Sequence, residues 1–517
     1  DNLYTCSQNT QEEMAEIIHQ KNLNRVIVAS CSPKTHEPLF QETLTNAGIN
    51  KYLFNMVNIR NQDSWVHRNN PGMATEKAKD LVRMAVSTVA LKEPLEEPEL
   101  GIHQTALVIG GGISGMTSAL SLARQGHDTH LVERDFALGG QARSLYKTWK
   151  GEDIQAHLTD LIEAVEAEPR LQIHLRTSVT QVDGFVGNFT STLETESTQQ
   201  TVSHGVTVMA TGAKELEPAE YSYGQDKRIK TSLELDRLFQ TDDPELESVN
   251  AAVFIQCVGS REPERPYCSR VCCTHSIQSA LELKKRNPAM DVYILYRDIR
   301  TYGEKESLYN QARQAGVVFV RYTLEDKPRV QAGDTELTVT VTDPILGRPL
   351  EIAADLLTLA TAIIPERDED LANFFKVSFN DDGFFAERHA KMGPAEFATD
   401  GMFLCGLAHY PKSIDESIAQ GKAAAGKAIT LLSQEIIHSS GEVARIDPMY
   451  CSSCGVCVSI CPYSAPSFIE EGRFAGKAEI NPSLCKGCGL CAASCRSGAI
   501  SLKGSDNRQI YAMIEAI

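Results

Sequence analysis

The sequence lacks the features of three common protein classes. No stretch of its 517 residues approaches the roughly 20 consecutive apolar residues that cross a bilayer. Its 50 Lys and Arg are outnumbered by 68 Asp and Glu, and the net charge of −18 argues against a basic nucleic-acid-binding surface. The first residues given do not have the pattern of a secretory signal, and we expect none. We therefore expect a cytoplasmic protein with no membrane span and no nucleic-acid partner.

Cysteine is present, but its distribution is uneven. Of the 15 cysteines, eight lie between Cys451 and Cys495 and four lie between Cys257 and Cys273, so that only Cys6, Cys31 and Cys405 stand apart. A secreted disulfide scaffold would be a short chain. Clustered cysteines in a long acidic chain instead predict metal ligands in a reducing compartment.

Two cysteine runs near the C-terminus share the spacing C-x2-C-x2-C-x3-C. This spacing is typical of bacterial two-cluster ferredoxins, in which the fourth cysteine of each run binds the other run's cluster. The alternative is a pair of structural zinc sites, although zinc more often takes its ligands as two separated pairs. We therefore predict one [4Fe–4S] cluster on Cys451, Cys454, Cys457 and Cys495, and another on Cys461, Cys485, Cys488 and Cys491.

A glycine-rich loop follows the strand TALVIG (105–110). Gly110, Gly112 and Gly115 form G-x-G-x-x-G before a helix, and Glu133 ends the next strand, as in dinucleotide-binding units. The segments ERDFALGGQA (133–142), VTVMATGA (206–213) and DGMFLCGLA (400–408) favour FAD over NAD, and the alternative is an α/β domain without cofactor. The predicted FAD contacts are Gly110, Gly112, Ser114, Gly115, Glu133, Arg134, Gly140, Gln141, Val179, Ala210, Thr211, Gly212 and Gly406.

Four central cysteines occupy the place where a second dinucleotide would bind. Cys257 ends the strand AAVFIQCVG (251–259), and Cys268, Cys272 and Cys273 are expected at the start of the helix CSRVCCTHSIQSALELKKR (268–286). No second G-x-G-x-x-G follows this strand. The residues alone leave open a [4Fe–4S] site, dithiol or disulfide chemistry, and structural zinc.

The chain resembles the HdrA type of heterodisulfide reductase component, an iron–sulfur flavoprotein family of methanogens and anaerobic bacteria. The resemblance rests on VASCSPKTHEPLF (28–40), NIRNQDSWVH (58–67), CVGSREPERPYCSRVCC (257–273), YILYRDIRTYGEKESLYNQAR (293–313) and the two ferredoxin runs. It implies an α/β fold: a thioredoxin-reductase-like FAD core of two dinucleotide domains, with a small N-terminal α/β domain and a C-terminal two-cluster ferredoxin domain. It also implies a third [4Fe–4S] cluster on Cys257, Cys268, Cys272 and Cys273.

The resemblance further implies an oxidoreductase subunit for electron transfer within a soluble multi-subunit complex. Family members perform or support flavin-based electron bifurcation or confurcation. The implied donors are H2, formate or NADH, and the implied acceptors are ferredoxin and a heterodisulfide or an acyl-CoA reductase module. The implied partners are HdrB-like, HdrC-like and MvhD-like subunits, a hydrogenase, a formate dehydrogenase or an NADH-oxidising subunit. The alternative function is a self-contained NAD(P)H or dithiol–disulfide oxidoreductase.

The N-terminal domain of the family tends to hold a cluster of its own. Here Cys6 and Cys31 remain, and Asp63 occupies a position that is often Cys. The residues leave two alternatives open: a fourth cluster near Cys6 and Cys31, with Asp63 and a further ligand, or two small buried thiols. Because the chain opens on Asp1, we also expect the start of this domain to be missing.

The expected domain boundaries follow from these motifs. They are an N-terminal α/β domain (1–100), a first FAD segment (101–216), a second Rossmann-like domain with the central cysteines (217–398), a second FAD segment (399–435), a ferredoxin domain (443–503) and a tail (504–517).

Overall fold

The computed structural model describes residues 2–333 and 336–517. They form two compact units, one of the residues up to Leu100 together with Ile436–Ile517, and one of Gly101–Glu435. In the described part of the chain, no helix combines the length and the apolar character that a membrane crossing needs.

The regular elements of the described residues are numbered in chain order. The α-helices are α1 (Gln8–Lys21), α2 (Pro33–Asn46), α3 (Pro71–Ala90), α4 (Ile113–Arg124), α5 (Ile154–Glu166), α6 (Ser232–Thr241), α7 (Cys272–Arg286), α8 (Glu306–Gln314), α9 (Glu369–Phe375), α10 (Ile414–Leu432), α11 (Val456–Ile460), α12 (Leu490–Ser494) and α13 (Asn507–Glu515). The β-strands are β1 (Val26–Ser30), β2 (Phe54–Asn58), β3 (Glu99–Gly101), β4 (Thr105–Ile109), β5 (Asp128–Val132), β6 (Leu171–His174), β7 (Ser178–Phe185), β8 (Asn188–Glu194), β9 (Gln199–His204), β10 (Val206–Met209), β11 (Ala213–Glu215), β12 (Ile229–Thr231), β13 (Ala251–Val258), β14 (Asp291–Tyr296), β15 (Val318–Arg321), β16 (Arg329–Ala332), β17 (Leu337–Asp343), β18 (Arg348–Ala354), β19 (Leu356–Thr361), β20 (Ile363–Pro365), β21 (Met402–Leu404), β22 (Ile436–His438), β23 (Ala444–Ile446), β24 (Pro466–Phe468), β25 (Ala478–Ile480) and β26 (Ile500–Leu502).

The larger unit contains two five-stranded sheets whose strands are all parallel. The first has the order β21-β10-β4-β5-β6 and the second the order β12-β19-β13-β14-β15. Every residue of β10 and β19 is buried, as is typical of a parallel sheet that helices cover on both faces. In the first sheet α4 and α10 pack together through small buried residues, among them Ala119, Ala424 and Ala428.

Both parallel sheets carry the same insertion. A three-stranded antiparallel sheet, β7-β8-β9, precedes β10 in the chain, and β16-β17-β18 precedes β19 in the same way. The larger unit is therefore built from two similar dinucleotide-type domains. Strand β21 and helix α10 return to the first of them after the second is complete.

The smaller unit contains two substructures. In the N-terminal one, β1 and β2 pair in parallel, and a core of Val28, Phe40, Leu44, Phe54 and Met56 lies between them and the helices. In the C-terminal one, two antiparallel strand pairs, β23-β26 and β24-β25, accompany the short helices α11 and α12. Strand pairs and helices occur twice, which agrees with the repeated cysteine runs.

The expected helix at 268–286 begins four residues later than the sequence suggests. Arg270 has a φ of 60°, in the left-handed region, and α7 starts at Cys272. A right-handed helix cannot continue through a residue in that conformation. Cys268 consequently lies in the preceding loop, and the expectation that it stands on the helix is wrong.

The contact between α4 and α10 provides a test of the fold. A Cβ atom added to Gly421 would lie 2.7 Å from the carbonyl oxygen of Ser114, whereas one added to Gly426 of the same helix would meet open space. We predict that Gly421→Ala lowers the free energy of unfolding by roughly 1–3 kcal/mol through overpacking. Gly426→Ala, the matched control, should raise it by about 0.5–1 kcal/mol. Denaturant titrations would measure both, and equal effects would contradict the helix contact.

Candidate functional site

The loop between β4 and α4 has the geometry of a dinucleotide turn. Gly110 has a φ of 110°, and a Cβ there would lie 2.2 Å from the carbonyl oxygen of Ala210. A Cβ on Gly115 would lie 1.8 Å from the carbonyl oxygen of Gly110. At Gly112, in contrast, no atom would be within 4 Å. Gly110 and Gly115 therefore allow the strands and the helix to pack closely, whereas Gly112 faces open space.

A cavity of about 810 Å³ opens in front of this loop. Apart from Gly115 and Gly406, every residue predicted to contact FAD lines it. Its volume lies within the range of cofactor sites. The backbone N–H groups at the start of α4 border it, and such groups favour phosphate. Gly406 packs closely on α4, because a Cβ there would lie 2.4 Å from the Ser114 hydroxyl oxygen, and its contact with FAD stays a prediction.

Glu133 is buried at the edge of the same cavity. Its Oε2 accepts a hydrogen bond of 2.7 Å from the backbone N–H of Gly111, and its Oε1 accepts one of 2.8 Å from the N–H of Asp135. The carboxylate thus fixes the glycine loop. Its expected contact with the ribose of a nucleotide remains a prediction.

A second, mainly apolar cavity of about 180 Å³ adjoins the first. The two share Gln141, Ala213, Leu407 and Lys412 in their linings, and the second also reaches Cys272. An elongated dinucleotide in the first cavity could therefore extend a flat apolar group into the second. That group would lie beside the central cysteines.

The backbone of β13 turns Cys257 out of the regular strand. Ile255 pairs with Leu359 and Val258 pairs with Thr361, so β13 has one residue more than β19 in this interval. This is a β-bulge, which changes the direction of a side chain, and Cys257 within it has a φ of 61°. Sequence reasoning placed Cys257 at the strand end but gave no sign of the bulge.

The four central thiols lie close enough to interact electrostatically. Burial raises the pKa of Cys272, and the neighbouring thiolates of Cys273, Cys257 and Cys268 raise it further. Burial likewise raises the pKa of Cys273 to about 11. Thiols must lose their protons to bind iron, and metal binding supplies the free energy for that step. Four neighbouring cysteine sulfurs, two of them on buried residues, form a suitable donor set for a [4Fe–4S] cluster.

Basic side chains and backbone donors surround these sulfurs. The Arg261 guanidinium lies 3.9 Å from the Cys257 sulfur, and the backbone N–H of Arg270 donates a 3.3 Å hydrogen bond to the Cys268 sulfur. Arg297 donates to the Cys257 carbonyl oxygen at 3.3 Å. Positive charge and donors of this kind stabilise an anionic cluster and set its potential.

The structure brings the C-terminal cysteines together in two crossed groups. Each of two small cavities is lined by three cysteines of one run and the fourth cysteine of the other. The backbone N–H of Ala478 donates to the Cys451 sulfur at 3.5 Å, and that of Ala444 donates to the Cys485 sulfur at 3.3 Å. The groups are Cys451, Cys454, Cys457 and Cys495 in one, and Cys461, Cys485, Cys488 and Cys491 in the other.

The described residues contain neither a disulfide nor a group of ligands close enough for a single ion. All fifteen cysteines are free thiols. Within residues 2–333 and 336–517, no three His, Cys, Asp or Glu side chains lie close enough together to hold one metal ion. In a cuboidal cluster each thiolate binds a different iron, so its four ligands stand further apart than the ligands of a single ion.

The N-terminal domain offers a less complete set of ligands. Cys31 follows β1 and Asp63 lies in a π-helical turn (Arg60–Ser64) after β2, so both come from the same edge of the two-stranded sheet. The Asp63 carboxylate is buried, and its Oδ1 has no hydrogen-bond partner among the described residues. Cys6 is exposed in the turn before α1.

Lys412 lines both cavities, and sequence reasoning missed it. Its side chain is buried, and burial lowers the pKa of its amino group to about 7. A lysine between an apolar strand and a helix N-cap, at Pro411-Lys412-Ser413, is the signal that could have identified it. A buried amine with a lowered pKa in a cavity indicates a functional group.

Comparisons with known proteins agree with this geometry. Residues 104–254 match the family model "Pyridine nucleotide-disulphide oxidoreductase", and residues 450–499 match "4Fe-4S dicluster domain". Together with the two parallel sheets, these matches confirm the predicted fold class, a flavin-type dinucleotide core with a two-cluster ferredoxin domain.

Curated relatives match most of the chain. An iron–sulfur component of the CoB–CoM heterodisulfide reductase of Methanopyrus kandleri, of the HdrA type, is 34% identical over 91% of this chain and 86% of its own length. The corresponding component of the H2:CoB–CoM heterodisulfide, ferredoxin reductase of Methanothermobacter thermautotrophicus is 33% identical over 91% and 85%. A solved thioredoxin reductase from Lactococcus lactis covers 64% of this chain and 99% of its own, with 17% identity and a TM-score of 0.46.

The crossed grouping of the C-terminal cysteines can be tested by single substitutions. We expect Cys451→Ala and Cys495→Ala to alter the EPR signal of one cluster, and Cys461→Ala and Cys485→Ala to alter that of the other, because each pair lines one cavity. Cys405→Ala, in the apolar core, is the control and should leave both signals unchanged. If Cys485→Ala and Cys495→Ala altered the same signal, the crossed grouping would be wrong.

Proposed function

This chain belongs to the HdrA family of heterodisulfide reductase components, which are oxidoreductases, and we propose that it distributes electrons between one FAD and three [4Fe–4S] clusters within a larger redox complex. The observation that carries the proposal is the position of the central cysteines. Cys272 lines the apolar cavity that continues the dinucleotide cavity. A cluster on Cys257, Cys268, Cys272 and Cys273 would therefore lie beside the flavin.

The residues that would hold the cofactors differ in character. Bound FAD would exchange electrons in pairs or singly, and clusters carry them singly. The glycine loop and the start of α4 would bind the pyrophosphate, and the predicted contacts around the larger cavity would hold the nucleotide. Lys412 would present an ammonium group to the ring end, where positive charge favours the reduced, anionic flavin.

We further propose that the bound flavin bifurcates or confurcates electrons. The relative from Methanothermobacter thermautotrophicus is named for H2, a heterodisulfide and ferredoxin. By analogy, a donor subunit that oxidises H2, formate or NADH would supply electron pairs to this chain. Ferredoxin and a second acceptor, a heterodisulfide or an acyl-CoA reductase module, would each receive one electron of a pair. The partners would be HdrB-like, HdrC-like or MvhD-like subunits.

We propose that the N-terminal domain holds a fourth cluster. The free Oδ1 of Asp63 and the nearby edge position of Cys31 support a fourth cluster, for which Cys6 and one further ligand would be needed. Anaerobic iron analysis distinguishes the two stoichiometries, because three clusters contain about twelve irons and four contain about sixteen.

Removing two central thiols tests the third cluster. We expect the double variant Cys272→Ala, Cys273→Ala to contain about four fewer irons per chain than the parent while it keeps its FAD. The FAD should remain because the predicted nucleotide contacts line the other cavity. Cys405→Ala, which removes a buried core thiol and leaves the central thiols and Cys6 intact, is the control. Unchanged iron in the central variant would contradict the cluster assignment.

The alternative function, a self-contained NAD(P)H oxidoreductase, predicts a different reaction. After β13 there is no second glycine fingerprint, and a Cβ on Gly259 would lie 2.1 Å from the Leu216 side chain, so this side chain packs closely on the turn after the strand. We expect no fast bleaching of the flavin when the isolated chain is mixed with NADH in a stopped-flow instrument. Rapid bleaching would favour the alternative.

A further inference from the structure

A line of polar side chains leads from the protein surface to Lys412. It consists of Glu387, His409 and Gln420, and it ends at the ammonium group of Lys412. Glu387 is partly exposed, whereas His409 and Lys412 are buried. None of these four residues was among the predicted FAD contacts.

The orientation of the Gln420 amide is determined by two backbone groups. The N–H of Gly406 donates to Oε1 at 3.1 Å, and Nε2 donates to the carbonyl oxygen of Pro394 at 3.1 Å. If the amide were flipped, its NH2 group would face the Gly406 N–H and its oxygen would face the Pro394 carbonyl oxygen, so neither hydrogen bond could form. The oxygen of Gln420 therefore faces Lys412 Nζ at 2.5 Å, and its NH2 group faces His409 Nδ1 at 2.7 Å.

This orientation determines the tautomer of His409. Because Nδ1 accepts from Gln420, the ring proton is on Nε2, which donates to Glu387 Oε2 at 3.0 Å. Burial lowers the pKa of His409 to about 4, and the charge of Lys412 acts in the same direction. The imidazole is thus neutral near pH 7, and its Nδ1 fixes the Gln420 amide by accepting a hydrogen bond from the amide Nε2.

The amide and a backbone carbonyl take up two of the three N–H groups of Lys412. Nζ donates to the Gly406 carbonyl oxygen at 2.6 Å and to Gln420 Oε1 at 2.5 Å, and it lies 3.9 Å from the centre of the Tyr410 ring. Since Lys412 also lines both cavities, a ligand there would compete with the Tyr410 ring for its third N–H.

We propose that Gln420, fixed by His409 and Glu387, is a positioning residue that keeps the Lys412 ammonium directed at the flavin cavity. The inference rests on the proposed binding of FAD. The amide oxygen stabilises the charged form of a buried amine, and the histidine and carboxylate prevent the amide from rotating. None of these three residues needs to touch the cofactor.

Glu387, His409 and Gln420, here called the lysine-positioning array, would control the protonation of Lys412. Burial lowers the pKa of Lys412, and the charge of Arg270 lowers it further, whereas the charges of Cys405, Glu416 and Glu387 raise it. The result, about 7, lies where a small change in these contacts alters the charge.

The test is a pH titration of the visible absorption of FAD in the loaded full chain. We expect a midpoint near the Lys412 pKa of about 7, which Lys412→Met abolishes. Gln420→Glu places a carboxylate beside the ammonium and should raise the midpoint by about one pH unit, a tenfold change in the acid dissociation constant. His409→Leu lets the Gln420 amide rotate away from the ammonium group, so it should lower the midpoint. His409→Gln keeps a hydrogen-bond acceptor for the amide and should return the midpoint to the parent value.

Matched controls separate positioning from stability. Glu396→Gln alters a carboxylate of the same unit that pairs with Arg388 and Lys427 rather than with His409, and it should not change the midpoint. If Gln420→Glu and His409→Leu bind FAD, unfold at the parent temperature and keep the parent midpoint, the array has no such role. If His409→Leu does not fold, Gln420→Glu decides alone. Failure of the parent chain to bind FAD would refute the proposed function instead.

Discussion

The central part of the larger unit brings four thiols together, and the proposed cluster would need all four as thiolates. Burial and mutual repulsion both raise the pKa of Cys272, so the protein must offset the cost of ionised thiols. It does so with the start of α7, whose N-terminal N–H groups favour negative charge, and with the Arg261 guanidinium near Cys257. Left-handed backbone at Arg270 adds an N–H donor to the Cys268 sulfur. The four thiols thus lie at the junction of β13 and α7, which corresponds to the junction of β4 and α4 with its glycine loop in the first domain.

Much of this architecture could be predicted because the signals are local. The two C-terminal runs have the same cysteine spacing, and the first three cysteines of each run lie close together in one short segment. The two groups of ligands could therefore be predicted from the sequence. The glycine fingerprint likewise specifies a strand, a turn and a helix within a short segment, and the cavity lies in front of it. The resemblance to a known family supplied the grouping of the central cysteines, which spacing alone left open.

The missed features depend on backbone conformation or on distant partners. The bulge at Cys257 arises from pairing with β19, about a hundred residues further along the chain, and the φ of Arg270 cannot be inferred from its residue type. The hydrogen bonds around Lys412 join residues from separate loops, such as His409 and Glu387. Periodicity and motif spacing do not report contacts of this kind, which form only when the second FAD segment returns to its sheet.

The start of α10 connects the thiol site with the flavin cavity. Arg270, from the cysteine loop, donates to the Pro411 carbonyl oxygen at 3.3 Å and to Glu416 Oε1 at 3.2 Å, and its guanidinium lies against the Tyr410 ring. Glu416 also caps α10 through Ser413. Lys412 lies within this same segment, so the loop that carries Cys268 and the lysine that faces the cavity share one support. The cysteine loop and Lys412 are thus linked through the hydrogen bonds of Arg270 to Pro411 and Glu416 at the start of α10.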